Sequence, residues 1–356
     1  MIIWLPNMDA LHQLLGFEFS NLTLLIGVLV STRILRVTGT NPGGIVGASL
    51  LVLAFVSSPW WALGIIVASI VISLVYKRFF SHIFLGRRPL FIMVGMSLAI
   101  MTAVGVLMQK NHLIPPSDLN YPLGIILPAI VASVINKQGV IKTYRYLGLA
   151  VLVTVLIVAA IYSFGLLLGH DYHALDRTLA QRQILYIDWG VLFSMLSVGL
   201  GFLLYLKTGV KSAGYIMLPF LAAILVVSPL NFGLMIGLAI IAYVLTAYMR
   251  GKSLYFGVER YSFVLVVSIL LVWSFEYGLL HFTRGFSPFL GTSIFAALAI
   301  AVIVNEHILY SVRKTAPLFA VSLACMVVIE LAGIQIMQRV FHHTSSIHSG
   351  VITSDN

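Results

Sequence analysis

Apolar residues run through this chain in blocks rather than in alternation. Between turn residues and charges they form about twelve segments, at roughly residues 19–36, 44–58, 61–76, 89–108, 121–135, 146–167, 189–206, 214–228, 231–249, 262–280, 288–305 and 316–336. Most approach the ~20 residues that carry a helix across a bilayer, and lipid requires a structure that satisfies every backbone amide internally. A membrane β-barrel would need alternating strands of about ten residues, a pattern this sequence lacks. The blocks predict an all-α integral membrane protein of about 12 transmembrane helices. Two pairs are short: 44–58 with 61–76, and 214–228 with 231–249. Each pair reads equally as two spans or as re-entrant helices that meet at Ser57-Ser58-Pro59 or Ser228-Pro229-Leu230.

Composition agrees with the blocks. Of 356 residues, 60% are hydrophobic and 9% charged, and the mean hydropathy is +1.05, which excludes an ordinary soluble domain. The formal net charge of +10 would suit nucleic acid, but the basic residues sit in short loops between apolar blocks, so no nucleic-acid partner is expected. Sixteen of the 21 Lys and Arg residues fall in or beside the odd-numbered loops, whereas most acids fall on the other side. That separation predicts basic cytoplasmic loops, with both termini extracytoplasmic. The N-terminal stretch carries Asp9 and Glu18 in place of a positive signal region, so the first block is expected to remain as a span. Cys325 lies in an apolar block and is expected to be a small core residue.

A repeat changes the picture. "VTGTNPGGIVGASLLVLAFVSSP" (37–59) lies without a gap over "KTGVKSAGYIMLPFLAAILVVSP" (207–229), placing Thr38, Gly39 and Gly44 over Thr208, Gly209 and Gly214. Residues 76–100 then correspond to 248–272, and 123–143 resemble 290–311 after a short gap that brings Asn136 over Asn305. Two six-span halves are expected, 1–168 and 189–340, joined by a polar extracytoplasmic connector at 169–188 and followed by a polar tail at 341–356. An even number of crossings returns the second copy to the same orientation, so the repeats should be parallel. "TGTNPGG" lacks the lysine and hydroxyl of a Walker loop and the preceding strand of a dinucleotide fingerprint, so it reads as a turn between helices at the cytoplasmic face.

These segments resemble the PgsC/CapC membrane subunit of bacterial poly-γ-glutamate (capsule) synthases. Thr208, Gly209, Ala213, Gly214 and Pro219 match one motif of that family in the second half. Gly124, Pro128, Ala132, Asn136, Gln138 and Gly139 match another in the first. A usual family member is about half this length, so the chain reads as a double-length, duplicated form; Ser49 stands where Pro219 does, and Phe295 near the place of Pro128. The resemblance implies a membrane component without a nucleotide site of its own, with ATP and Mg held by a cytoplasmic peptide or polyglutamate ligase. It also implies a small or extracytoplasmic accessory subunit, contact with membrane lipid, and passage of an acidic polyamide across the bilayer.

Within that frame, Arg87, Arg88, Lys137 and Lys142 are the cationic candidates for holding polymer carboxylates or an acidic partner surface. Snorkelling cations that set topology would look the same. Asn136 and Asn305 are candidates for capping a helix or lining a path, while Gly43, Gly124, Pro128 and Pro219 suit close packing and kinks. Glu276 and Glu330 lie inside spans, toward the outer ends where water would reach them, and are candidate proton or cation sites. They leave open a secondary transporter for a small anionic solute. His170, His173, His342 and His343 form no convincing metal set, and no catalytic constellation is evident.

Overall fold

Each apolar block folds as a helix, because a helix alone pairs its backbone groups within one segment. The computed structural model describes residues 17–82, 89–110, 121–167, 187–209, 217–250, 257–283, 288–289 and 293–351. Among them, the first six helices are α1 (Phe17–Thr38), α2 (Gly47–Ser57), α3 (Pro59–Val75, prolonged by a π turn over Tyr76–Phe80), α4 (Pro89–Lys110), α5 (Tyr121–Gln138) and α6 (Val140–Leu167). The next six are α7 (Ile187–Thr208), α8 (Leu218–Val227), α9 (Pro229–Arg250), α10 (Gly257–Thr283), α11 (Ser293–Tyr310) and α12 (Val312–Val351). The chain is an all-α membrane protein. Eight of the described helices are long and apolar enough to cross a bilayer, while Gly47–Val56, Ile126–Gln138 and Leu196–Thr208 are shorter apolar stretches. Beyond residue 340 the polar sequence continues α12 as far as Val351.

The two sets of six share their joints. The limits of α1 and α7 differ by 170 residues at both ends. Gly39 and Gly209, at φ of 65° and 67°, follow them in the left-handed region. Each glycine is preceded by a threonine whose hydroxyl donates to a carbonyl four residues back, Thr38 to Ile34 and Thr208 to Leu204, both at 2.7 Å. Ser58 and Ser228 turn the chain between short and long helices, each leading into a proline. Gly139 and Ser311, at φ of 90° and 71°, join α5 to α6 and α11 to α12. Thr143 and Thr315 donate to their respective carbonyls.

Neighbour relations repeat in the same way. In the first set α1 packs on α2 and α6, α2 on α3 and α6, and α5 on α3, α4 and α6. In the second, α7 packs on α8 and α12, α8 on α9 and α12, and α11 on α9, α10 and α12. The sets meet where α1 packs on α10 and where α4 packs on α7, again corresponding pairs, and also where α1 packs on α11. Side chains at the two seams differ. Arg36 on α1 forks onto Glu259 on α10, its Nε and Nη2 donating to the two carboxylate oxygens at 3.0 and 3.3 Å. Phe91 on α4 instead lies against Phe202 and Tyr205 of α7, with ring centroids 5.3 and 5.6 Å apart. One seam is therefore ionic at its end and the other aromatic.

Cys325 is exposed. The expectation of a core residue fails because α12 packs on α7, α8 and α11 with one face and turns the other outward. Large apolar side chains are exposed along many helices, among them Leu156 on α6, Val244 on α9 and Val328 on α12, as expected where lipid is the solvent.

Candidate functional site

Non-helical backbone inside a membrane bundle is tolerated only where side chains or a cavity satisfy it, so the segment between α1 and α2 is informative. After Gly39, residues 40–46 are non-helical and almost wholly buried. Asn41 organises them: its side-chain oxygen accepts from the Gly44 amide at 2.7 Å. The Asn41 amide donates to Gln138 Oε1 at 3.2 Å, and its carbonyl accepts from Gln138 Nε2 at 2.6 Å. The second Nε2 hydrogen goes to the Thr143 hydroxyl at 3.2 Å, which itself donates to the Gly139 carbonyl at 2.7 Å. One carboxamide thus pairs both backbone groups of Asn41 and spends its remaining donor within the α5–α6 joint.

Beyond the clamp the turn packs tightly. Gly43 and Gly44 take φ of 75° and 96°; a Cβ on Gly43 would meet Leu147, and one on Gly44 would lie 2.5 Å from Ile130 Cγ2. The Asn41 carbonyl also accepts from the Gly43 amide at 2.9 Å, so the segment folds back on itself before α2 begins. With eleven residues, α2 is shorter than the ~20 that cross a bilayer, in keeping with the short block at 44–58.

Hydrogen bonds between elements bring the cations to one end. Asn41 with Gln138, Arg36 with Glu259, Ser73 with Asn136 (2.9 Å) and Arg260 with Asn305 (3.3 Å) tie together the ends of α1, α3, α5 and α11 and the start of α10. Lys77, Arg78, Lys137, Lys142, Arg145, Arg313 and Lys314 are exposed at that end. At the opposite end, Asn21 donates to Ser293 Oγ at 3.2 Å, Glu276 accepts from the Phe289 amide at 3.1 Å, and Asn231 Nδ2 donates to the Pro288 carbonyl at 2.8 Å.

The sequence candidates fare differently. Lys137 and Lys142 are exposed beside the clamp, while Pro128 and Pro219 are buried in α5 and α8. Gly124 lies in the second turn of α5 and is released from its helical partner by Pro128, which has no N–H to offer it. Asn136 and Asn305 both accept at the basic end, but not in the expected register. Measured from the left-handed residue that ends each helix, Asn136 is three residues back and Asn305 six, so the two fall about one turn apart. Glu276 and Glu330 are buried, contrary to the expectation that water reaches them, because each faces neighbouring helices rather than the outer rim. Arg87, Arg88, Gly214, His170, His173 and most of the connector lie outside the described residues. Sequence reading missed the Asn41–Gln138 clamp, Thr143, and the fork between Arg36 and Glu259. The available signal was an amide side chain on each side of left-handed glycines, namely "TNPGG" and "NKQG".

The profile of one protein family, described as capsule biosynthesis CapC, matches residues 26–144 and 196–287. The chain belongs to that family. The two matched segments begin 170 residues apart, the same shift that relates Thr38 to Thr208. Comparison with curated proteins and with solved structures returns no match. As a CapC member the chain is a membrane subunit of capsule biosynthesis, and the clamp joins segments within the first matched stretch.

Proposed function

We propose that this CapC-family chain is the membrane subunit of an ATP-dependent complex that makes and exports a poly-γ-glutamate-like acidic polyamide. The family match in both halves carries the reading. In it, a cytoplasmic ligase holds ATP and Mg and forms the amide bonds, while this chain anchors that ligase and passes the polymer across the inner membrane. In this reading the basic end faces the cytoplasm, consistent with the positive-inside tendency, and Lys137 meets an anionic product or an acidic partner surface. Both termini then lie outside, where an accessory subunit would meet them. Matching joints and neighbours support two parallel copies of one six-helix unit, 1–168 and 189–340, with divergent seams as the place to look for a path.

A second reading, a secondary transporter for a small anionic solute, draws on the buried carboxyls of Glu276 and Glu330. Affinity purification from the native membrane separates the two. The synthase reading expects an ATP-dependent amide ligase to copurify, and vesicles of the purified chain to show no proton-driven solute uptake. Proton-driven uptake without a ligase partner would establish the transporter instead.

A further inference from the structure

The α5–α6 and α11–α12 joints are built alike and then diverge. Val140-Ile141-Lys142-Thr143 follows Gly139, and Val312-Arg313-Lys314-Thr315 follows Ser311. Thereafter Arg145 and Tyr146 of the first joint correspond to Pro317 and Leu318 of the second. Around the first joint lies a groove of about 580 Å³ whose lining includes Gln138, Ile141, Lys142, Arg145 and Tyr146 and, among the described residues, no carboxylate. Lys142 has Arg145 and Tyr146 three and four residues on, so the three side chains share one face of α6.

That face continues into the membrane. Among the described helices α6 packs on α1, α2 and α5, all in the first half. Its outward stripe runs through Ile141, Arg145, Leu149, Leu152 and Leu156, all exposed and spaced by three or four residues. Two cations and a phenol thus cap an apolar track at the basic end of a peripheral helix, where headgroups meet acyl chains. An acidic polymer would have no use for the track, and a soluble partner would meet lipid along it.

We propose that this groove is a binding site for an anionic phospholipid. Lys142 and Arg145 hold the headgroup phosphate, Tyr146 donates a further hydrogen bond, and the acyl chains lie along Leu149, Leu152 and Leu156. The proposal rests on the membrane assignment and is independent of which polymer the complex makes.

The test is a native mass-spectrometry titration of the full-length chain with phosphatidylglycerol, with phosphatidylcholine of the same acyl chains, and with soluble glycerol phosphate. Phosphatidylglycerol should bind in preference to both. K142Q/R145Q should weaken it roughly 25-fold, about fivefold for each cation, while R313Q/K314Q, with the same charge change at the sister joint, should leave it unaltered. K142R/R145K should retain binding, and R145Q alone serves if the double variant does not fold. Equal binding of phosphatidylcholine, equal competition by glycerol phosphate, or equal weakening by R313Q/K314Q would overturn the proposal.

Discussion

Gln138→Ala lowers the stability of the purified chain by about 1–2 kcal/mol, because it removes the acceptor of the Asn41 amide and one of two donors to the Asn41 carbonyl, which keeps the Gly43 amide at 2.9 Å. A group left unpaired costs about 1–3 kcal/mol, and the half-buried position of the clamp sets the value toward the lower end. Gln138→Glu is the sharper variant. It keeps the size of the side chain but replaces the Nε2 that donates to the Asn41 carbonyl at 2.6 Å with a carboxylate oxygen. Two acceptors then face each other, and the donor to Thr143 is lost as well. Thermal unfolding in detergent should therefore rank wild type above Gln138→Ala and Gln138→Ala above Gln138→Glu. A wild-type melting temperature for both variants would mean that the 40–46 segment does not depend on the clamp.

Gly44→Ala has the other large expected effect, about 2–4 kcal/mol, from two additive causes. An L residue at a φ of 96° is strained by about 1–2 kcal/mol. In addition, the new Cβ would sit 2.5 Å from Ile130 Cγ2, an atom fixed by a branched Cβ that has little rotamer choice in a helix. Gly39→Ala is the matched control. Its φ is 65° but nothing lies within 4 Å of the added atom, so only the strain of about 1 kcal/mol remains. A cycle with Ile130→Ala separates the causes: Gly44→Ala should cost less in that background, and the residual cost should approach that of Gly39→Ala. Equal losses for Gly44→Ala and Gly39→Ala would contradict the close approach between the 40–46 segment and α5.

The fold was largely visible in the sequence because lipid imposes one solution on an apolar block. Twelve blocks become twelve helices among the described residues, and the Thr-Gly pairs at 38 and 208 mark the same joint in each half. Register inside apolar helices was not visible. The stretch "ALAIAVIV" before Asn305 offers no landmark, so an alignment can slide by a turn until a feature such as the left-handed Ser311 fixes it. Nor could the depth of Glu276 and Glu330, or the outward face of Cys325, be read from position along a span, since each depends on which neighbours its helix finds. The clamp was hidden for a different reason. Asn41 and Gln138 stand 97 residues apart, and a carboxamide that binds backbone leaves no periodic trace.

The proposed role in capsule biosynthesis is tested most directly in cells. In a strain lacking this chain but retaining the other capsule genes, that role predicts that polymer precursor accumulates and that no acidic polymer reaches the surface, with full-length protein restoring it. Normal surface polymer in the deletion strain, quantified by acid hydrolysis of washed cells, would contradict the role assigned to the chain.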